Sequence, residues 1–111
     1  MISAVLYREG GRLTGYRASG HSDRAEAGYD IVCAAVSVLG CTCVNALESV
    51  CGIVPAVTQN RDGLLAFELP QLTDEEDGKA QILMGALKQG LTDVMDGYPQ
   101  DLHLSIKERR K

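Results

Sequence analysis

Residues 2 to 9, ISAVLYRE, alternate Ile2, Ala4 and Leu6 against Ser3, Val5 and Tyr7, a two-residue period that predicts a strand with one buried face. The Gly10-Gly11 pair supplies a tight turn into RLTGYRAS, so the chain opens with a hairpin. From Asp30 the period changes. IVCAAVSVLGCTCVNALESV places Ile31, Ala34 or Ala35, Val38, Cys41 or Thr42 and Asn45 at three- and four-residue intervals, the spacing of a helix. Much of its remaining circumference is also apolar, so burial on most sides is expected, against a sheet or beneath a partner subunit. IVPAVTQ and LLAFELP flank NRDG, whose Asp62-Gly63 step predicts a second hairpin over residues 53 to 69, with Pro55 at an edge or strand end. Thr73 and Glu76 match a capping box, and Ala80, Leu83, Leu87, Leu91 and Val94 mark an apolar stripe that ends at Gly97-Tyr98-Pro99. DLHLSIK, residues 101 to 107, alternates again as a last short strand.

The order is therefore two hairpin-plus-helix units and a closing strand. An α+β fold is expected, its helices packed on a mixed or largely antiparallel sheet, with residues 1 to 111 forming one domain. The only aromatics are Phe67 and four tyrosines, so the core must come mainly from Ala, Val, Leu and Ile. Eleven basic against fifteen acidic side chains give a formal charge of -4, which argues against direct nucleic-acid binding as the main task. The basic tail KERRK reads as a solubilising, unstructured end. The N-terminus has no leader pattern and no run approaches bilayer-spanning length, so a cytoplasmic protein without a membrane partner is expected. Three of the four cysteines fall inside the first helix and Cys51 ends it, an arrangement of free thiols rather than a disulfide framework.

The segment GHSDRAEAGYDIVCAAVS, residues 20 to 37, carries the chemistry. If Asp30 caps the helix, Cys33 lies in its first turn, where unpaired N–H groups and the helix terminus favour a thiolate and offer oxyanion donors. His21 would then hold the thiolate in an ion pair and protonate the leaving amine. Asp30 has two readings, helix cap or orienting partner of His21. Ser37, four residues after Cys33, shares its helical face and either supports the site or bonds a backbone carbonyl. Gly20 and Gly28 bracket the loop and permit unusual backbone angles, or are ordinary loop glycines. By residues alone, a core thiol beside a surface histidine is the simpler account of the Cys33 and His21 pair. Cys41 and Cys43 read as space-filling core thiols and His103 as a partly exposed strand residue. The cysteine spacing lacks the paired knuckles of a zinc site, so no metal is expected, and no cofactor fingerprint occurs.

The same segment resembles the signature of the ribosomal-processing cysteine protease family called Prp: Gly20-His21-Ser22, then Ala25, Gly28, and Asp30 through Ser37 in one nearly continuous motif. The resemblance implies a catalytic His21 and a nucleophilic Cys33, with Asp30 and Ser37 in supporting positions and Gly20, Ser22 and Gly28 near the substrate. It further implies a cytoplasmic homodimer that removes the N-terminal extension of a large-subunit ribosomal protein, the twenty-seventh of that series. Asp23-Arg24 departs from the small or aromatic residues of relatives, which touches substrate preference but not the dyad. A noncatalytic ribosome-associated binding module and a thiol hydrolase with another substrate are the alternatives.

Overall fold

The structure, a computed structural model, describes residues 1–20, 27–61 and 64–110, with the backbone alone over 27–30. Strand β1 (Ile2–Glu9) turns through Gly10 and Gly11 into β2 (Arg12–Ser19). Both glycines have positive φ, 59° and 81°, which the two-residue hairpin turn requires and other residues resist. Helix α1 (Ala27–Ser49) follows, then β3 (Ala56–Arg61), β4 (Leu64–Glu68), α2 (Asp74–Gly97) and β5 (Leu102–Glu108). The turn expected at Asp62-Gly63 lies outside the described residues.

The strands form one sheet in the order β3-β4-β2-β1-β5, with β1 and β5 parallel and the other neighbours antiparallel. The expected α+β architecture with a mixed, largely antiparallel sheet is the one observed. Register carries the apolar face across the sheet: Leu6 stands opposite Tyr16 and Ile106, and Tyr16 opposite Phe67. Because side chains alternate along a strand, Ile2, Ala4 and Ala18 share that face. Bulges at Thr14 and Thr58 keep the alternation in phase, each hydroxyl donating to the carbonyl across from it, on Tyr7 and Ala66.

Both helices cover this face. A Cβ at Gly40 would stand 2.8 Å from Leu65 Cδ2 and 3.2 Å from Tyr16 Cε2, so only glycine lets α1 lie this close to the sheet. Gly90 of α2 gives the same clearance to Leu39 of α1. From α1 the buried side chains are Val32, Val36, Cys43 and Leu47. The stripe Ile31, Val38 and Asn45 expected to be buried is instead exposed, as is Cys41. A helix apolar on two sides has two candidate inner faces, and the stripe that meets the sheet is the one holding Gly40. The expectation that no run approaches bilayer length is also corrected: Ile31–Ser49, 19 residues, is long and apolar enough to cross a membrane by length and composition. Its interspersed Ala, Ser, Gly, Cys and Thr disguise a stretch without charge from Ile31 to Leu47.

The capping box of α2 forms as expected, Thr73 accepting from the Glu76 amide while the Glu76 carboxylate accepts from Thr73 N–H. Ala80, Met84, Leu87 and Leu91 are its buried stripe, with Leu83 and Val94 half-buried beside them. Gln81 binds both backbone groups of Leu13 at 2.8 Å, and Arg12 Nε donates to Asp77 at 2.7 Å, pinning the start of β2 to α2. The basic tail is less free than expected. Lys107 and Glu108 belong to β5, and Arg109 pairs with Glu68 on β4 while its guanidinium lies 3.8 Å from the centre of the Tyr7 ring.

Two stability measurements follow from this packing. Gly40→Ala should cost about 1–3 kcal/mol by overpacking, whereas Gly78→Ala should gain about 0.5–1 kcal/mol through helix propensity; nothing lies within 4 Å of a Cβ at the exposed Gly78. Denaturant melts of the two variants should move in opposite directions. The hydrogen bond from Arg12 holds the Asp77 carboxyl below its ordinary value of 3.8. A depressed folded pKa means stability present above 3.8 and lost as pH falls through the lower folded value. Asp77→Asn should therefore melt earlier than the wild type at pH 7, and the gap should close in acid below the folded value; a gap independent of pH would remove the carboxylate from the account.

Candidate active site

The stripe of α1 next to its buried face presents Cys33, Ser37 and Cys41, four residues apart and so stacked on one side of the helix. These three border a cleft of about 150 Å³ between α1 and the sheet. Tyr16 and Ala18 of β2 line its inner side, and Asn60, Arg61 and Leu65 of the second hairpin its outer side. Cys33 is half-buried, and Ser37 and Cys41 are exposed. Two other thiols serve packing or sit apart. Cys43 is buried against Met84, Sγ to Sδ 3.9 Å, and burial pushes its pKa up to about 11, which keeps it a protonated, unreactive thiol. Cys51 lies just past the end of α1, half-buried.

Gly20, directly after β2, fixes the point where the chain leaves the sheet. Its φ of +97° lies in the left-handed region, and a Cβ there would come within 2.6 Å of the Met1 carbonyl oxygen, so a side chain is excluded by both backbone angle and space. His21 and Ser22 come directly after it and lie outside the described residues. Asp30 and Gly28 need correcting. Helix α1 is already formed at Ala27, so Asp30 is its fourth residue and not its cap, and Gly28 belongs to its first turn and not to a loop. The polar-to-apolar change at Asp30-Ile31 marks where the helix meets the core, which is one turn after it starts.

Cys33 consequently stands at the seventh helical position, in the second turn. In helical geometry its N–H is directed to the carbonyl of Tyr29, so this amide and those after it are spent in the ladder and cannot serve as oxyanion donors. The helix dipole is felt chiefly in the first turn and acts on Cys33 only weakly. Of the expected site residues, the structure brings Cys33 and Ser37 to one cleft. Tyr16, Cys41, Asn60 and Arg61 join them there without having been singled out in the sequence; they come from three separate elements, and no local motif ties them together. A larger cleft of about 400 Å³ is bordered by Arg12, Asp77, Glu68 and Arg109, whose charges are already paired with one another. It holds no thiol. Among the described residues no cluster of three metal-ligating side chains occurs, His103 lying exposed in β5.

Comparison with known proteins places the chain in a family. Residues 1–103 match the family described as Cysteine protease Prp. The ribosomal processing cysteine protease Prp of Bacillus subtilis is 31% identical over 108 residues, 95% of this chain and 96% of its own. A crystal structure of a Streptococcus mutans protein has a TM-score of 0.87 at 33% identity, covering 98% of this chain and 96% of that one. The Staphylococcus aureus protease Prp, solved with a covalently linked product peptide, has a TM-score of 0.82 at 25% identity over 96% of this chain and 100% of its own. With the family matched along nearly the whole chain and a thiol set at the edge of an open cleft, the chain belongs to the cysteine protease Prp family and is a protease.

Proposed function

We propose that Cys33 and His21 form the catalytic dyad of this protease and that it removes the N-terminal extension of a large-subunit ribosomal protein, the twenty-seventh of its series. The observation that carries the dyad is the placement of Cys33: it is half-buried at the cleft, on the helix that follows the segment issuing from the constrained Gly20. The substrate rests on family membership and on the names of the relatives. The thiolate of Cys33 attacks the scissile carbonyl carbon, forming a C–S bond, and His21 gives its proton to the departing amine as the C–N bond breaks. His21 then takes a proton from water, whose oxygen bonds to the acyl carbon as the C–S bond breaks, releasing the Cys33 thiolate beside protonated His21. Because the Cys33 amide is committed to the helix, donors to the oxyanion come from outside the α1 ladder. Asp30, inside the first turn, is left with the orienting role toward His21, and Ser37 supports the site from one turn beyond Cys33. The acidic net charge of -4 suits a basic ribosomal substrate. The cytoplasm, where such a substrate is made, is the corresponding compartment, and no cofactor or metal enters the steps.

Cleavage of the organism's own extended ribosomal protein tests the assignment. Cys33→Ala and His21→Ala should each lose more than about a thousandfold in kcat/KM while keeping the wild-type circular dichroism. Cys41→Ala, Cys43→Ala and Cys51→Ala, assayed in their folded forms, should retain cutting. Full activity in folded Cys33→Ala would transfer the nucleophile elsewhere.

The protease is further proposed to act as a homodimer. What supports this is the face of α1 turned away from the sheet, where Ile31 and Val38 are 56% and 63% exposed, together with Ile82 of α2 at 73%. The apolar groove between the helices, lined by Val38, Leu39, Leu83 and Leu87, continues the same surface. Such surface is costly to leave in water and suits a second copy presenting the same patch. Sedimentation at micromolar concentration should give a species of twice the 11.9 kDa chain mass, and Val38→Glu should reduce it to one chain. A wild type that sediments as one chain would end this reading.

A further inference from the structure

Tyr16 projects from the centre of the sheet toward α1 and is completely buried. Its ring packs against Phe67 with centroids 5.6 Å apart, and the hydroxyl would stand 3.8 Å from a Cβ at Gly40. That hydroxyl finds no hydrogen-bond partner among the described residues. Buried hydroxyls are nearly always partnered, and an orphan is destabilising, so a phenylalanine would serve the packing better. Tyr16 also lines the cleft that Cys33 borders, together with Ala18 and Leu65.

We infer that the Tyr16 hydroxyl is a specificity-determining group of the protease, donating a hydrogen bond to an oxygen acceptor on a substrate side chain that enters the cleft beside α1. The inference rests on the reading that Cys33 is the nucleophile. Gly40, which marks the hydroxyl's level on the helix, follows Cys33 by seven residues, about 10 Å along the axis at 1.5 Å per residue. An extended peptide advances about 3.3 Å per residue, so the side chain that meets Tyr16 sits about three residues from the cut. Desolvation raises the pKa of Tyr16, the nearby Cys43 and Cys41 thiols adding to the effect, so the hydroxyl stays protonated and acts as donor at any working pH. The walls nearest it, at Ile2, Ala18, Val36 and Leu65, are apolar, while Asn60 and Arg61 lie on the outer side, so a side chain without an acceptor leaves this donor unpaired. The Phe67 ring on one side and the missing Cβ of Gly40 on the other hold the phenol in place before substrate arrives.

The test uses the full chain as wild type, Tyr16→Phe and Cys33→Ala with a random-sequence peptide library, cut sites being read by mass spectrometry. A matched pair is then assayed: a peptide carrying the enriched acceptor side chain and its analogue with a hydrocarbon side chain of equal size. The wild type should show enrichment of oxygen-bearing side chains at a single position about three residues from the cut, and should prefer the acceptor peptide by about tenfold in kcat/KM. Tyr16→Phe should cut the two alike, keep the preferences flanking the scissile bond, and melt at the same temperature or higher. A Tyr16→Phe profile identical to the wild type, or an equal loss on both peptides, would overturn the inference while leaving the dyad intact. Cutting by folded Cys33→Ala would overturn the dyad and this inference together.

Discussion

The close approach of α1 to the sheet at Gly40 decides where everything else on this small domain can be. Five strands offer one continuous apolar face, and two helices must cover it. With Leu65 and Tyr16 pressed against the backbone at Gly40, the helix is held in rotation as well as position. Cys33, Ser37 and Cys41 then fall along the margin of the contact, over the gap toward the second hairpin, while Ile31 and Val38 are turned outward. The cleft and the bare apolar face are thus two results of one packing decision. Neither could be moved without replacing the smallest residue of the helix.

The charge pairs described above lie apart from that margin, which Arg61 borders. The strong pairs, Arg12 with Asp77 and Arg109 with Glu68, join β2 to α2 and the C-terminal segment to β4. Partly exposed pairs of this kind add little stability individually. Their placement matters more, since α1 carries no charged side chain from Ile31 to Leu47 and burial is the main influence on its Cys43 thiol. Cys43, sealed under α2, is held in its protonated form, whereas Cys33, nearly three turns earlier, is half-buried at the rim.

Much of the architecture was legible because local rules and the global fold agree. Gly10-Gly11 could only be a turn, Thr73 with Glu76 could only begin a helix, and strict alternation in β1 named the inner residues Ile2, Ala4 and Leu6. The orientation of α1 was not legible. Period alone says that an apolar helix has faces, and the choice between them depends on Tyr16 and Leu65, which are distant in sequence. The same limit explains Cys41 and Cys43, read alike in the sequence though two residues apart on a helix means opposite fates. Asp30 misled for a local reason: an acidic residue before an apolar run resembles a cap, but the helix had started before its buried part began. The Cys33 and Ser37 pairing was readable from their spacing of four, whereas Tyr16 entered the site through sheet register alone.

The parallel pairing of β5 with β1 joins the last strand to the first, and Arg109 reaches back to bond Arg8, Glu68 and Tyr7. Contacts this distant along the chain are closed late, because the entropy of the intervening loop is lost before they form. Until β5 arrives, β1 has its neighbour β2 in place and its other edge bare. The sheet is therefore completed by the strand that lies farthest along the chain from its partner.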